Sequence, residues 1–342
     1  MLNRTFEGNF YEIGRQMGCI YRENGAGNNP VTIDPQLLKN QLRVYEKFYP
    51  EYLEEMRGIA EGGEFDLQSA VYGAITGEIF FFKNMIGMGR ACTIFGCKQG
   101  DALYVGRNYD WLPVPADLFE AYQVKNSERN AFFAVTDYGI VDPALTAPPY
   151  RAFLPEDALN DQGLYVGITF SFAEQWAYGI SSIHLVKLIA ETCATVDDAL
   201  AVFERVPACC PKKYFLADRF GNMAMVEHTA QRFRVIYPRE GVLIQTNHYL
   251  DPELAREDTV LKKIPYHNTF IRYYETLQRI ALQRENFSYD SILWILTAPG
   301  TYTLQNFPGI KTIWTLALDM TDRKYNIYWE LFEERKTQDL KF

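Results

Sequence analysis

The periodicity of apolar residues changes once along this chain, near residue 90, and that change limits the folds open to it. Before it, apolar side chains recur at helical spacing over 10–22 and 36–84: Leu37, Leu38, Leu42 and Tyr45, then Leu53, Met56, Ile59 and Ala60. The glycines of GIAEGG at 58–63 read as the end of one such helix. After it come short runs rich in β-branched and aromatic residues: CTIFGC, ALYVGRNYDW, AFFAVTDYG, GLYVGITFSF, KYFLADRFGNMAMVEH, FRVIYP, VLIQTNHY and TIWTLALDM. Gly, Asp or Asn punctuates nearly all of them, as hairpin turns require. Helical spacing returns at 181–205 and 266–284, so strands cluster at both ends with helices between, which predicts an α+β sandwich. There is no repeat at a fixed period, and the proline-containing stretch 112–115 is the nearest thing to a linker.

A chain of 342 residues can bury the core of two ordinary domains or one large one. Hydrophobic residues at 48% and charged residues at 23% exclude disordered and collagen-like classes; the enrichment is in aromatics, at 15%. The net charge of -9 repels phosphate backbones and anionic lipid, so neither nucleic acid nor a membrane surface is an expected partner. No run approaches the roughly 18 apolar residues of a membrane span, and the first residues lack an apolar signal core, which predicts a cytoplasmic protein. Cys19, Cys92, Cys97, Cys193, Cys209 and Cys210 form no C-x-x-C pair, so reduced thiols are expected, with no zinc and no cofactor. The sequons at Asn3 and Asn286 carry no weight without a secretory context.

The chemistry concentrates where the texture changes, in MGRACTIFGCKQGDALYVGRNYDWLP. A hairpin with Gln99-Gly100 as its two-residue turn faces Cys92 with Arg107 and leaves Asp110 three residues further on. Arg beside Cys favours the thiolate, lowering its pKa below the free value of about 8.5. An ordinary amphipathic hairpin with a solvated Arg accounts for the same spacing.

This segment resembles the N-terminal nucleophile (Ntn) hydrolases of the choloylglycine hydrolase and penicillin acyltransferase superfamily. There a mature chain opens with Cys-Thr and continues through a hairpin to G-R-N-x-D-[WIL], matched here by Cys92-Thr93 and Gly106-Arg107-Asn108-Tyr109-Asp110-Trp111. Further blocks follow in family order: EEMRGIAEGGEFDL at 54–67, LNDQGLYVGITF at 159–170, FLADRFGNMAMVEH at 215–228 and QTNHY at 245–249. The likeness covers most of the chain and is similar to the branch called peptidase family C45, which includes the acyl-coenzyme A:6-aminopenicillanate acyltransferases. It implies an αββα sandwich at 92–342 behind a mostly helical pro-segment at 1–91, cleaved before Cys92.

Carried over, the resemblance makes Cys92 the nucleophile and its freed α-amine the general base, since an α-amine with a reference pKa of about 7.7–8.0 can take and return a proton near neutrality. It implies that Asp110 orients the amine and that Arg107 holds the thiolate. The Asn247 amide and the backbone N–H of Thr169 would face the oxyanion, and Arg272 would be the distal arginine. Ala91 stands where acyltransferase precursors usually carry glycine.

His248 reads as a strand-packing residue rather than a Cys–His partner, and Cys209-Cys210 before Pro211 as a structural loop. Asp218 and Glu227 read as turn and sheet residues. Trp111, Phe170, Phe172 and Trp176 are candidates for an acyl pocket or for core packing. The leading expectation is a thiol hydrolase of linear, non-peptide amides, forming an acyl-enzyme. Conjugated bile acids, penicillin V, N-acyl amino acids and acyl-homoserine lactones all fit as the small-molecule substrate. Acyl transfer to an amine is the alternative, and an uncleaved, non-catalytic acyl-ligand binder a second one; homo-oligomerisation is left open.

Overall fold

The computed structural model describes residues 2–24, 32–84, 91–111, 119–136, 153–264, 267–332 and 334–342. The linker expected at 112–115 lies outside them. The chain opens with a strand that its sequence texture did not announce, β1 (Leu2–Gly8), followed by α1 (Phe10–Glu23), α2 (Pro35–Phe48), α3 (Pro50–Gly63) and α4 (Leu67–Asn84). Local chemistry starts these helices. Asn9 and Glu12 form a capping box on α1, and Asp34 caps α2 ahead of Pro35.

The glycines of GIAEGG do close a helix, since α3 ends at Gly63, but two of them have a second role inside it. Gly58 and Gly62 lie inside α3 against Gly14 and Gly18 of α1. A Cβ on Gly58 would sit 2.0 Å from the Tyr11 carbonyl oxygen, and one on Gly14 2.0 Å from that of Glu55. The two helices therefore meet backbone to backbone, and α3 stops at Glu64, which takes the left-handed conformation (φ 56°).

Beyond residue 90 the strands are β2 (Ala91–Gln99), β3 (Ala102–Trp111), β4 (Glu120–Asn126), β5 (Phe132–Thr136), β6 (Asp157–Asn160) and β7 (Leu164–Phe170). Helices α5 (Ser182–Thr192) and α6 (Val196–Arg205) precede β8 (Lys212–Asp218), β9 (Met223–His228), β10 (Phe233–Ile236) and β11 (Val242–Gln245). Then come α7 (Val260–Lys263), α8 (Thr269–Gln283), α9 (Tyr289–Thr297), β12 (Asn306–Phe307), β13 (Ile310–Asp319), β14 (Lys324–Trp329) and β15 (Lys336–Asp339). One sheet runs β1-β4-β5-β6-β7-β8-β9-β10 and the other β11-β2-β3-β13-β14-β15, with β12 beside β13.

Alternation along single strands shows four layers. Leu164, Val166 and Ile168 of β7, with Tyr214 and Leu216 of β8, pack on the first six helices; Tyr165, Phe215, Ala217, Met223 and Met225 turn inward to the second sheet. In β2, Ile94 joins that inter-sheet core while Phe95 and Cys97 pack under α8 and α9 with Ile280, Ile292 and Ile295. This is the expected αββα sandwich. Both faces of both sheets are covered, so a polar group between the layers must find protein partners.

The segment before residue 91 is built into this frame. β1 adds a parallel strand to β4. Lys187 of α5 bonds Glu55 of α3 at 2.6 Å and Glu191 at 2.5 Å, and Glu191 also accepts from Tyr49 of α2's end. All three charged side chains are buried, and the two carboxylates hold the Lys187 ammonium far above its ordinary pKa against the cost of burial. Lys187→Met removes the shared cation and leaves two buried carboxylates facing each other. It should cost roughly 3–5 kcal/mol, read as a lower urea midpoint; an unchanged midpoint would show that the triad is dispensable.

Candidate active site

The β2–β3 hairpin turns at Gly100-Asp101, not at Gln99-Gly100 as the sequence suggested, with Gln99 opposite Ala102. Gly100 takes φ +59°, the first central position that favours glycine in a two-residue hairpin turn. Cys92 therefore pairs with Tyr109, Arg107 with Ile94, and Asp110 with Ala91. A register moved by two residues keeps every side chain on its face. Arg107 thus remains diagonal to Cys92 in the inter-sheet layer, where its charge pulls the thiol toward the thiolate.

Arg107 is fully buried. Its Nε donates to Asp157 of β6 in the other sheet, its Nη1 to the Asn108 carbonyl at 2.8 Å and its Nη2 to the Ile168 carbonyl at 3.2 Å. Asp157 also accepts from Tyr165 Oη at 2.7 Å and Trp314 Nε1 at 3.0 Å. The Trp314 ring stacks on Tyr109 at 3.9 Å.

Asp110 lies on the opposite face of β3. Its oxygens accept from Thr312 Oγ1 at 2.6 Å and Gln305 Nε2 at 2.8 Å. A bulge in β13 makes both arrangements compatible: Thr312 pairs with Asp110 and Trp314 with Tyr109, across a register shift at Ile313. Without the extra residue, 312 and 314 would share one face. Asn108 is clamped on that face too, donating to the Leu296 and Thr303 carbonyls and accepting from Thr315.

Asn247 and Arg272 reach Cys92 from outside the hairpin. With the Ala91–Cys92 bond intact, the Cys92 N–H donates to Asn247 Oδ1 at 3.1 Å. Arg272, from the first turn of α8, donates to the same oxygen at 2.7 Å, to Thr93 Oγ1 at 2.9 Å and to the Cys92 carbonyl. Asn247 Nδ2 donates to the Phe170 carbonyl at 2.9 Å, leaving its second hydrogen for another acceptor. Thr169 adjoins through its hydroxyl, which donates to the Thr246 carbonyl at 3.0 Å.

Burial sets the electrostatics. It pushes the Cys92 thiol up, outweighing the pull of Arg107, so the lowering expected from an adjacent arginine does not hold in this intact chain. It raises the Asp110 carboxyl as well, against Arg272 and the hydrogen bonds from Thr312 and Gln305. His248 is lowered to about 3 by burial with Lys213, Arg272 and His267 nearby. Its Nδ1 meets Thr246 and Thr269, and its ring stacks on Phe270 at 4.1 Å, so it packs the loop rather than serving Cys92.

Asp218 holds a turn through the Phe220 and Asn222 N–H groups. Trp111 joins the inter-sheet core and Trp176 packs on the helical core, while Phe170 and Phe172 form a small cluster with Val260 and Ile264. Among the described residues, Glu78, Cys209 and Cys210 could hold a metal ion, their ligand atoms lying within 4.8 Å. Glu78 is already bonded to Lys212 and to both the N–H and hydroxyl of Ser182, so the donor set suits a buried ion pair better than a cation. No described helix is long and apolar enough to cross a membrane.

The family model for acyl-coenzyme A:6-aminopenicillanic acid acyl-transferase matches residues 97–334. The chain belongs to that family. Among solved structures, a variant of conjugated bile acid hydrolase from Clostridium perfringens is similar at a TM-score of 0.51 and 13% identity, covering 72% of this chain and 92% of that one. Penicillin V acylase from Agrobacterium tumefaciens gives 0.48 and 15%, covering 73% and 86%. The fold is that of the Ntn hydrolases, and the family match makes the chain an enzyme of the acyl-transferring class. The matched span begins five residues after Cys92, so the case for that residue rests on the geometry around it.

In this family member, Asp157, Trp314, Thr312 and Gln305 complete the surroundings of the candidate residues, and none was singled out from sequence. Asp157, Gln305 and Thr312 lie 50, 195 and 202 residues from the hairpin side chains they bond, and no linear spacing marks them. Asp110→Asn keeps an acceptor for Thr312 and should fold, yet lose maturation or turnover by the roughly 10²–10⁴-fold typical of positioned acid–base groups. A variant that matures and turns over normally would make Asp110 a purely structural residue.

Proposed function

We propose that Cys92 is the nucleophile of a thiol amidase that matures by breaking the Ala91–Cys92 bond. The carrying observation is the convergence on one residue: Arg107 at its thiol, Asn247 at its N–H and Arg272 at its carbonyl. Breaking the bond turns that N–H into an α-amine, which takes the thiol proton as Cys92 attacks an amide carbonyl and passes it to the leaving amine. The Asn247 amide stabilises the tetrahedral oxyanion; the Thr169 N–H, expected as a second donor, faces the Lys213 carbonyl in the β7–β8 ladder. Asp110 orients the amine by charge. Water then hydrolyses the acyl-enzyme.

The cluster of Phe170, Phe172, Val260 and Ile264 beside Asn247 supports an apolar acyl group on the substrate. The amine part would be polar, as in N-acyl amino acids, conjugated bile acids or penicillin V. Acyl transfer to an amine is the second reading, favoured by the family match to an acyl-transferase. An added amine acceptor that diverts product from the free acid to a new amide would establish it.

Wild-type protein should separate under denaturing conditions into pieces of 91 and 251 residues, about 10 and 29 kDa by proportion. The larger should begin at Cys92, and Cys92→Ala should remain one chain. The pieces should co-elute under native conditions, because β1 and the Lys187 triad join them. Active protein carrying only the Met1 terminus would sink the mechanism.

A further inference from the structure

Among the described residues, the loop that carries Asn247 pairs with no strand beyond β11, and side chains hold its backbone. The Thr246 carbonyl accepts from Thr169, and the Asn247 and His248 N–H groups donate to Thr269 Oγ1 at 2.9 and 3.1 Å. The Tyr249 N–H donates to Asp258 at 3.0 Å. The remaining groups converge on one buried ion pair. Lys213 Nζ donates to the His248 carbonyl and lies 3.3 Å from Glu227 Oε1. Glu227 accepts the Leu250 N–H at 2.7 Å and the Asp251 N–H at 2.8 Å.

Lys213 and Glu227 are cross-strand neighbours on β8 and β9, facing the second sheet, and Thr169 of β7 continues the same row. Both charged side chains are inaccessible to solvent. A pair kept only for sheet stability could be replaced by apolar residues at little cost. This one instead spends its hydrogen-bonding capacity on a loop from another element, on both sides of Tyr249. Asn247 must meet Cys92 at 3.1 Å and Arg272 at 2.7 Å through one oxygen, so a displacement of about 1 Å breaks the geometry.

We propose that Lys213 and Glu227 are positioning residues that act through Asn247, fixing its amide for the oxyanion. The inference rests on the reading of Asn247 given above, and a double-mutant cycle separates the two. The probe is the fastest member of a series of 4-nitroanilides with acetyl, phenoxyacetyl and longer acyl groups, followed as single-turnover acylation and as KM. Glu227→Gln places an amide NH₂ against a backbone donor and should slow acylation by about 10-fold or more, with KM changed less than about twofold. In an Asn247→Ala background the same change should cost less than about twofold, because the group being positioned is gone. Lys213→Arg, which keeps the charge but moves the donor away from the His248 carbonyl, should behave alike and serves if Glu227→Gln fails to fold.

Full multiplicative loss in the Asn247→Ala background would overturn the clamp and leave the role of Asn247 standing. A lowered melting temperature with an unchanged acylation rate would do the same. Wild-type acylation by Asn247→Ala alone would overturn the reading of Asn247, and the clamp with it.

Discussion

Between two apolar sheets the Arg107 guanidinium has no water to turn to, and its charge can be kept there only by partners fixed in place. Asp157 supplies the countercharge from the opposite sheet, and the Asn108 and Ile168 carbonyls accept further hydrogen bonds from the guanidinium. Removing one member of such a pair costs roughly 3–5 kcal/mol, because the other is left buried and uncompensated. The pair therefore ties β3 to β6, and with them the strand that carries Cys92. Tyr165 and Trp314 saturate Asp157, and the stack of Trp314 on Tyr109 closes the layer.

The two arginines divide the work around Cys92 by face. Arg107 meets the thiol from the inter-sheet side. Arg272 approaches from the helical side and bonds the Cys92 carbonyl and Asn247 while compensating Asp110. The bulge at Ile313 makes this division possible, since a regular β13 could not offer Thr312 to Asp110 and Trp314 to Tyr109 together. Burial meanwhile holds the thiol protonated in the uncut chain, which is consistent with a nucleophile that needs its own amine before it can act.

The segment ahead of Cys92 is joined to the rest by strand pairing, by backbone-close helix packing and by buried charge. Glu78 of α4 reaches Lys212, whose ammonium lies 4.7 Å from the centre of the Phe170 ring, and the Phe170 carbonyl takes the Asn247 amide. The early helices and the candidate site thus share a chain of contacts. A segment bonded in this way is a structural part of the enzyme whether or not the chain is cut.

The sequence by itself determined the layers. Apolar spacing of helical period before residue 90 and short β-branched and aromatic runs after it marked α1 to α4 and most of the long strands, though not β1, β4, β6, β14, β15 or α9, and Cys-Thr with G-R-N-Y-D-W marked the hairpin. Those signals are legible because they lie within a few residues of one another. The face of each side chain survived even where the turn was misplaced, since the strand period is two. Tertiary structure alone decided the rest: that β1 joins a distant sheet, and that Gly58 and Gly62, in the motif that closes α3, also let its backbone meet α1. It also decided that Asp157 answers Arg107 and that Glu227 grips the loop after Asn247. Each depends on contacts between residues far apart in the chain, and a buried polar group takes whichever partner the packed layers bring within hydrogen-bond reach.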